Sequence, residues 1–424
     1  MNTLNAVNPK HILFIEANTD GTIGGSHYCL LELIKGLNKS KFKPFVLFYQ
    51  KNILIPEFER HCPVIILDKT RGLVIKRDFP HLYSLVSKIP YLPYFLILFQ
   101  KTYNFFRYHL TDFLKIIYLL SKLKIDLVHI NNAPALTDWL IACKILRKKC
   151  ISHLRGNWNP KFFQKKLVRY YDAVISISNS VTSHAKKKGI YINNFITIYD
   201  GIDINTVLKM KTINPNEIKK ELGPPLNDSF LIGLIGNIKA WKGQHVAIEA
   251  IKILKKKYPK IKCLIVGNIS NLEDDKKYFN YLKELVNNNG LSKNIIFTGF
   301  RKDIPDIISA LDILIHTSVA PEPFGRVILE GMIFSKPVIA TSHGGPLEII
   351  EDGISGFLVL PNNPEALAQK INYLLSHPEV AQRTGKEARK RVEKLFNISL
   401  NIKKTEYLYN QLLFQRGLLN EKFK

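Results

Sequence analysis

Residues 230–256 read FLIGLIGNIKAWKGQHVAIEAIKILKK, and this stretch decides the fold. Its first six residues form a continuous apolar run, which is typical of a strand buried on both faces of a parallel sheet. A glycine-containing polar loop follows, and from residue 244 the apolar side chains recur at the spacing of one helical face. The stretch therefore predicts a strand over 230–235 and a helix over 244–256, the repeating unit of a doubly wound α/β fold.

The same alternation of short apolar runs and helical patterns continues on both sides of this unit. It predicts a helix over 28–38, and the pattern beyond residue 364 is helical without a strand signal. Further strands are predicted at 11–15, 45–48, 64–67, 127–130, 151–154 and 173–177 in the first half, and at 263–266, 295–297, 313–315, 337–340 and 356–359 in the second.

A polar stretch over 209–228, rich in Asn, Lys and Pro, separates the two series of strands. A chain of 424 residues also exceeds the usual size of one domain. We therefore predict an α/β protein with two Rossmann-like, doubly wound domains, at 1–205 and 206–399. The last helix, about 400–424, is a candidate to pack back on the first domain.

The chain is strongly basic, with a formal net charge of +26. Residues 1–205 carry 29 Lys and Arg against 13 Asp and Glu, an excess of 16, and the remainder carries 32 against 22, an excess of 10. Nucleic acid, anionic lipid and phosphorylated small molecules would all suit this charge. A Lys- and Asn-rich background that only keeps the surface soluble remains an equal alternative.

Cysteine use and hydropathy bear on the compartment. The cysteines form no C-x-x-C pair, and no His cluster has zinc-ligand spacing, which predicts a reducing compartment and no structural metal. Residues 1–10 are polar and predict no secretory signal. The longest apolar candidate, 91–99, is about half of the roughly 18–20 residues that a spanning helix needs. We expect a cytoplasmic protein that does not span a membrane.

Residues 71–124 interrupt the regular pattern with prolines, many aromatics and many basic residues. Part of this segment could form an amphipathic helix that lies in a bilayer interface. The alternative is a set of ordinary helices that pack over the first sheet.

The most informative loop is APEPFGRVILEG at 320–331. Glu322 follows a predicted strand, and a helix beginning near Gly325 would carry Glu330 on its second turn. The start of this helix offers free backbone N–H groups that can bind anions or sugar hydroxyls, and the two carboxylates can accept hydrogen bonds from a polyol. The complete string favours a binding loop over an ordinary solvated one.

Three further loops carry glycines after predicted strands. Lys242, before Gly243, is placed to neutralise a departing diphosphate. Residues 20–26, DGTIGGS, allow a backbone to approach a phosphate closely, although ordinary turn glycines are an alternative. Residues 341–353 contain Gly344 and Gly345 before Pro346, which suits the first turn of a helix.

Taken together, these motifs resemble family 4 of the retaining GT-B glycosyltransferases. Glu322 and Glu330 match the family's Glu-x7-Glu motif within its Pro-Glu-Pro-Phe-Gly context, and Lys242 with Gly243 matches its Lys-Gly. The pair Gly344–Gly345 resembles the family's late glycine pair, and 199–203, YDGID, resembles its interdomain Asn-Gly-Ile-Asp. The resemblance spans roughly residues 24–357 and is most specific in the second domain.

The resemblance implies two Rossmann-like domains facing across a cleft, and a role for each matched residue. Glu322, with the backbone at Phe324 and Gly325, would bind the donor sugar, and Glu330 the nucleotide ribose. Lys242 would bind the diphosphate, and His153 would face the reacting sugar, with His129 a weaker candidate. The implied catalytic residues are Glu322, His153 and Lys242; the implied donor-binding residues are Gly24, Gly25, Asn237, Lys242, Gly267, Phe300, Arg301, Glu322, Phe324, Gly325, Arg326 and Glu330.

Two positions depart from the family pattern. Asn237 stands where the family commonly has Arg, so one diphosphate cation must be supplied by another residue, for which Arg326 and Arg155 are candidates. Asp200 replaces the usual Asn at similar size. The sequence contains no Asp-x-Asp, so we expect no metal of that kind and no cofactor.

The resemblance therefore implies a retaining, metal-independent transferase that moves a sugar from a UDP- or GDP-linked donor to a glycan or lipid-linked acceptor. Cell-envelope polysaccharide synthesis, at an anionic membrane surface on the inner face, would suit the basic first domain. A nucleotide-sugar 2-epimerase of the same fold is one alternative, and a catalytically inactive scaffold another. A basic nucleic-acid-binding protein is a third, but no nucleic-acid motif supports it and no nucleic acid is expected.

Overall fold

The computed structural model describes residues 8–17, 24–67, 74–192, 194–222 and 230–414. The predictions for residues 1–7, for 20–23 of the glycine loop, for 71–73 and for 415–424 lie outside the described residues. By its internal contacts the chain divides into two compact units. The first comprises Met1–Ile175, Ala185–Ile196 and Glu406–Lys424, and the second Ser176–His184 and Thr197–Thr405. The sequence-based limits, 1–205 and 206–399, remain a prediction.

A seven-stranded sheet forms the body of the first unit, in the order β3-β2-β1-β4-β5-β6-β7. Strand β1 pairs in parallel with both β2 and β4, and its inner residues are fully buried. The strands are β1 (Lys10–Glu16), β2 (Phe42–Phe48), β3 (Val64–Ile66), β4 (Leu127–Ile130), β5 (Lys149–Leu154), β6 (Ala173–Ser176) and β7 (Phe195–Thr197).

Helices connect these strands, as the buried apolar runs require. They are α1 (Gly25–Gly36), α2 (Ile55–Glu59), α3 (Ile75–Asp78), α4 (Pro80–Val86), α5 (Leu92–Asn104), α6 (Leu110–Lys122), α7 (Thr137–Ile145), α8 (Phe162–Leu167) and α9 (Asn179–Lys187). A π-helical turn, Phe105–His109, joins α5 to α6. Among the described residues no helix is both long enough and apolar enough to cross a bilayer.

The second unit contains a six-stranded sheet in the order β10-β9-β8-β11-β12-β13. Its strands are β8 (Leu231–Ile235), β9 (Lys262–Val266), β10 (Ile295–Gly299), β11 (Ile313–His316), β12 (Val338–Thr341) and β13 (Phe357–Val359). Its helices are α10 (Ile204–Lys209), α11 (Pro215–Glu221), α12 (Gln244–Lys255), α13 (Glu273–Asn288), α14 (Ile304–Ala310), α15 (Arg326–Ile333), α16 (Pro346–Ile349), α17 (Pro364–Ser376), α18 (Pro378–Leu395) and α19 (Ile398–Phe414), whose last residues belong to the first unit.

These elements confirm the predicted fold class, because both sheets are parallel and alternate with helices. One local prediction was wrong, and one strand was missed. Helix α1 begins at Gly25, not at residue 28, so Gly25 is helical and Gly24 is the N-cap. Strand β7 was not predicted, because Thr197 limits its apolar run to Phe195 and Ile196. Within 74–124, helix α6 buries Ile116 and Leu120, as an ordinary packed helix does, whereas α5 buries no residue.

Candidate functional site

The order of the second sheet brings two of the predicted motifs together. Strands β8 and β11 are neighbours, although about 80 residues separate them in the chain. The order of connection reverses between them, and in open α/β sheets ligands bind at the carboxyl ends of the strands at such a switch point. Lys242 lies after β8, and Glu322 lies between β11 and α15.

The carboxylate of Glu322 is the centre of a buried polar cluster. Its Oε2 accepts hydrogen bonds from Lys242 Nζ at 2.6 Å, Ser318 Oγ at 3.0 Å and His316 Nε2 at 3.0 Å. The Glu322 residue is only 7% exposed. Within the described part of the chain no group donates to Oε1, so this oxygen is the acceptor that a ligand hydroxyl can use.

The same contacts fix the charge of Glu322. Burial would raise its pKa, but the hydrogen bond from His316 and the positive charge of Lys242 outweigh burial and lower it to about 2. Glu322 is therefore a carboxylate at neutral pH. It can accept hydrogen bonds and stabilise positive charge, but it cannot donate a proton as a general acid.

Backbone geometry holds Lys242 beside this carboxylate. Gly243 has φ +70°, and a Cβ there would lie 2.1 Å from Thr317 O, so the two loops approach as closely as only glycine allows. Thr317 Oγ1 donates to Lys242 O at 3.0 Å. The ammonium also lies 4.2 Å from the ring centre of Trp241. The Lys-Gly motif thus fixes the position of the Lys242 ammonium and places it against the Trp241 ring.

The late glycine pair supports the Glu322 loop from the other side. Glu322 and Gly344 form a backbone bridge, and Gly345 N donates to Glu322 O at 2.7 Å. A Cβ on Gly344 would lie 2.2 Å from Glu322 O, and one on Gly345 2.3 Å from Phe324 Cα. Phe324 is itself buried, with its ring stacked on Tyr199 at 6.1 Å between centroids. The motifs at 199–203, 320–331 and 341–353 therefore form one packed group.

The loops after β8, β9 and β10 also come together. Gly267 N donates to Gly299 O at 3.0 Å, and a Cβ on Gly267 would lie 2.1 Å from Gly236 O. Asn237 O accepts a bond from Gln244 Nε2 at 3.0 Å. Phe300, the predicted neighbour of the base, is 65% exposed.

Both candidate donor-site arginines of this unit lie beside carboxylates. Arg301 donates to Asp303 at 2.6 and 2.8 Å and to Glu221 at 2.5 and 3.1 Å. Arg326 Nε lies 3.4 Å from Glu330 Oε1, one helical turn away. The candidate second cation therefore lies beside the carboxylate that the family motif assigns to the ribose.

The first unit has its own polar network at the carboxyl ends of β1 and β4, where its sheet order also reverses. Glu16 accepts hydrogen bonds from the side-chain amides of Asn131, at 2.6 Å, and Asn132. Arg155 Nε donates to Asn131 O and Oδ1, both at 3.0 Å. Arg155 Nη2 lies 3.3 Å from His153 Nδ1. No atom of the described residues lies within 4 Å of a Cβ built on Gly24 or Gly25.

Two histidines are completely buried beside this network. The rings of His129 and His153 stack at 5.5 Å, and His129 Nδ1 lies 2.6 Å from Tyr409 Oη. Burial lowers the pKa of His129 to about 3, and the Arg155 charge adds to this. Burial, then Arg155 and His129, lower the pKa of His153 well below its usual range. Both rings are therefore neutral, and each has an Nε2 with no partner among the described residues.

Comparisons with known proteins decide the family. The family described as "Glycosyltransferase Family 4" matches residues 23–206, and the one described as "Glycosyl transferases group 1" matches residues 215–391. The chain belongs to glycosyltransferase family 4. Its two Rossmann-like units are those of the GT-B fold, and membership makes it a glycosyltransferase.

Individual members of the family are similar at moderate identity. Spore coat protein SA of Bacillus subtilis is 26% identical over 301 residues, which cover 65% of this chain and 76% of that protein. The capsular polysaccharide biosynthesis glycosyltransferase CapM of Staphylococcus aureus is 26% identical over 243 residues, covering 57% and 62%. The crystal structure of Anabaena HepE in complex with UDP has a TM-score of 0.74 at 26% identity, covering 95% of this chain and 100% of that one. HepE has also been crystallised with UDP-glucose (25% identity, TM-score 0.72, covering 94% and 99%).

Family motifs did not identify every residue of these clusters. His316, Ser318, Glu16, Asn131 and Asn132 were missed by the sequence analysis. A signal was available, because each lies at, or one or two residues beyond, the carboxyl end of a buried strand. Polar residues at that position are candidates for a ligand site in any open parallel sheet.

The buried histidines should make the stability of the protein depend on pH. Unfolded histidine titrates near pH 6.5, whereas the pKa of folded His129 is about 3. Between these values the unfolded state binds a proton that the folded state does not. The free energy of unfolding should therefore fall with decreasing pH, by about 1.4 kcal/mol per pH unit for each such histidine.

Urea unfolding of the wild type and of His129→Phe at several values between pH 7 and pH 5 checks this expectation. The variant loses a hydrogen bond to Tyr409, so its absolute stability will differ, but the comparison concerns only the slope. We expect a shallower slope in the variant. Equal slopes would mean that His129 is protonated in the folded protein.

Proposed function

We propose that this enzyme transfers a sugar, with retention of anomeric configuration, from a nucleoside-diphosphate sugar to a glycan or lipid-linked acceptor. The observation that carries the proposal is the Glu322 cluster at the β8–β11 switch point. It supplies an ionised acceptor for sugar hydroxyls and, 2.6 Å from it, a cation for a diphosphate. UDP is the favoured nucleotide, because the HepE structures hold UDP and UDP-glucose; GDP is the alternative.

In the proposed reaction the bond between the anomeric carbon and the diphosphate oxygen breaks through an oxocarbenium-like transition state. The acceptor oxygen bonds to the anomeric carbon on the same face, and its proton passes to the departing phosphate. Lys242 and the N-terminus of α15 would stabilise the charge that develops on the diphosphate. Glu322 Oε1 would hold a sugar hydroxyl, and Glu330 would hold the ribose.

The remaining site residues are proposed by their positions. Gly267, Phe300 and Arg301 would line the base site, and Asn237 would lie beside the diphosphate. Arg326 is proposed as the second diphosphate cation, which requires it to leave its 3.4 Å contact with Glu330. Because the pKa of His153 lies well below its usual range, the ring is neutral. The proposed role of His153 is therefore to accept or donate a hydrogen bond.

Cell-envelope polysaccharide synthesis is proposed as the setting, since the relatives include CapM. The basic first half of the sequence supports a peripheral location at the inner membrane face, where a lipid-linked acceptor would be found.

Thermal-shift titration tests the donor site directly. UDP, GDP, UDP-glucose and GDP-mannose would be titrated against the wild type, Glu322→Ala and Lys242→Ala, with Lys276→Ala on the surface of α13 as the matched control. A ligand at about 100 times its Kd should stabilise the folded protein by about 2.7 kcal/mol. We expect one nucleotide sugar to do so in the wild type and the control, and at least tenfold weaker binding in the two site variants.

The test has outcomes that contradict the proposal. If no nucleotide or nucleotide sugar stabilises the wild type, the donor site is wrong. If the donor is converted to its 2-epimer without any acceptor, the protein is an epimerase. The anomer formed when the donor is hydrolysed slowly, followed by NMR, tests retention.

A further inference from the structure

The helix that runs from α5 through the π-helical turn into α6 has an exposed apolar side. Helix α5 buries none of its residues, although it is rich in aromatic and aliphatic side chains. Seven of the described apolar side chains along the helix are each more than half exposed, and we call them the apolar face: Tyr94, Phe95, Leu98, Phe99, Phe106, Leu114 and Tyr118.

The opposite side of the helix is fixed to the first unit. Ile116 and Leu120 of α6 are buried, and Ile75 N donates to Gln100 Oε1 at 2.8 Å, which ties α3 to α5. The apolar face is therefore not the core side of a helix that failed to dock. So many exposed aromatic and aliphatic side chains on one helix of a folded unit indicate an interaction surface.

The positive charge of this segment favours an anionic partner. Residues 80–124 contain six Lys and Arg and a single acidic residue, Asp112, a formal excess of five. Asp112 lies 3.1 Å from Lys115, which neutralises it locally. All six cations are exposed: Lys88, Lys101, Arg107, Lys115, Lys122 and Lys124. A helix with aromatic residues beside exposed cations is the composition of elements that lie in the interface of an anionic bilayer.

An open cavity on the same helix has a lining that suits a lipid of an anionic bilayer. Phe99, Tyr103 and Phe106, with Thr102 and Arg107, line an open cavity of about 420 Å³. Its wall is mainly apolar, and Arg107 is one of the residues that line it. Such a hollow suits an acyl chain beneath an anionic headgroup, because Arg can pair with the phosphate while the rings contact the chain.

From these observations we propose that the apolar face and its flanking cations form the surface by which the first unit docks on an anionic lipid bilayer. The aromatic side chains enter the interface between headgroups and acyl chains, and the lysines and arginines contact the anionic headgroups. This inference deepens the peripheral location proposed above. It does not depend on the donor site, which belongs to the other unit.

Vesicle binding of the full chain tests the surface. Wild-type protein would be sedimented with vesicles of phosphatidylcholine alone and of phosphatidylcholine mixed with phosphatidylglycerol, at low and high salt. The apolar variant is Phe95→Ser with Phe99→Ser and Phe106→Ser, and the charge variant is Lys101→Gln with Arg107→Gln. The matched control makes three exposed apolar residues of the second unit polar: Ile253→Ser, Leu272→Ser and Tyr281→Ser.

We expect the wild type and the control to bind vesicles containing phosphatidylglycerol, with salt weakening the binding. The apolar variant should lose about tenfold in partition coefficient for each phenylalanine replaced. The charge variant should lose about fivefold per cation, on the anionic vesicles only. All these side chains are exposed, so circular dichroism and melting temperature should stay close to wild type.

Three results would overturn the proposal: no binding of the wild type, wild-type binding by the apolar variant, or an equal loss in the control. A wild-type dimer that the apolar variant dissociates, without vesicle binding, would assign the face to a second copy of the chain. Stabilisation by UDP-glucose is measured on every variant in parallel. Its absence from the wild type would contradict the proposed function and leave the docking surface standing.

Discussion

Replacing Glu322 by glutamine should lower kcat/KM by about 100- to 1,000-fold, the range found when one preorganised polar group is removed from an active site. Oε2 accepts bonds from an ammonium, a hydroxyl and an imidazole, all of which donate to it. An amide cannot serve both as this acceptor and as the free acceptor at Oε1, because one of its two positions becomes a donor. The variant must therefore lose either the Lys242 contact or the contact proposed with a sugar hydroxyl.

Release of nucleoside diphosphate from the donor provides the rate measurement. Glu351→Gln is the control, since Glu351 is an exposed carboxylate 3.1 Å from Arg391 and lies outside the cluster. Its kcat/KM should equal that of the wild type. A Glu322→Gln enzyme within threefold of the wild type would remove Glu322 from the proposed mechanism. Because the pKa of Glu322 is about 2, its protonation should not limit the rate at any pH above about 4.

Gly344→Ala should destabilise the protein and inactivate it together. Gly344 has φ +81°, and an added Cβ would lie 2.2 Å from Glu322 O and 2.8 Å from Glu322 N. Both neighbours are backbone atoms, so the clash can be relieved only by moving the Glu322 loop. Left-handed backbone strain and overpacking together should cost about 3 kcal/mol, which lowers the melting temperature by roughly 6–12 °C.

The second unit provides a control for the strain alone. Gly353 has φ +76°, but none of the described residues comes within 4 Å of a Cβ built there. Gly353→Ala should therefore cost only about 1 kcal/mol and keep full activity. Calorimetry and the same release assay compare the two variants. Similar losses in both would show that contact with Glu322 has no special importance at Gly344.

Sequence patterns alone predicted most of the strands and one helix start. The strand series was predicted to within a few residues, because a parallel strand buried on both faces is apolar along most of its length. Only β7 was missed, because its apolar run consists of just Phe195 and Ile196. Pro346 was predicted in the first turn of a helix and begins α16, since its fixed φ suits that position.

The Glu-x7-Glu spacing also predicted the local structure around it correctly. The N-cap of α15 is Gly325, so Glu330 comes on the second helical turn as predicted, with Glu322 in the preceding loop. A helix start with one carboxylate before it and one after it, at fixed positions, can be predicted from neighbouring residues alone.

The sequence by itself thus determined the two parallel sheets, the position of the motif loops and the family to which the chain belongs. Only the tertiary structure decided that Lys242, His316 and Ser318 meet on one oxygen of Glu322, and that Glu16 meets Asn131, 115 residues away. The reason is that such contacts depend on which strands become neighbours, and strand order is set by the packing of the complete unit. The exposure of α5 was decided in the same way, because an apolar helix reads alike whether its face meets the core or something outside the chain.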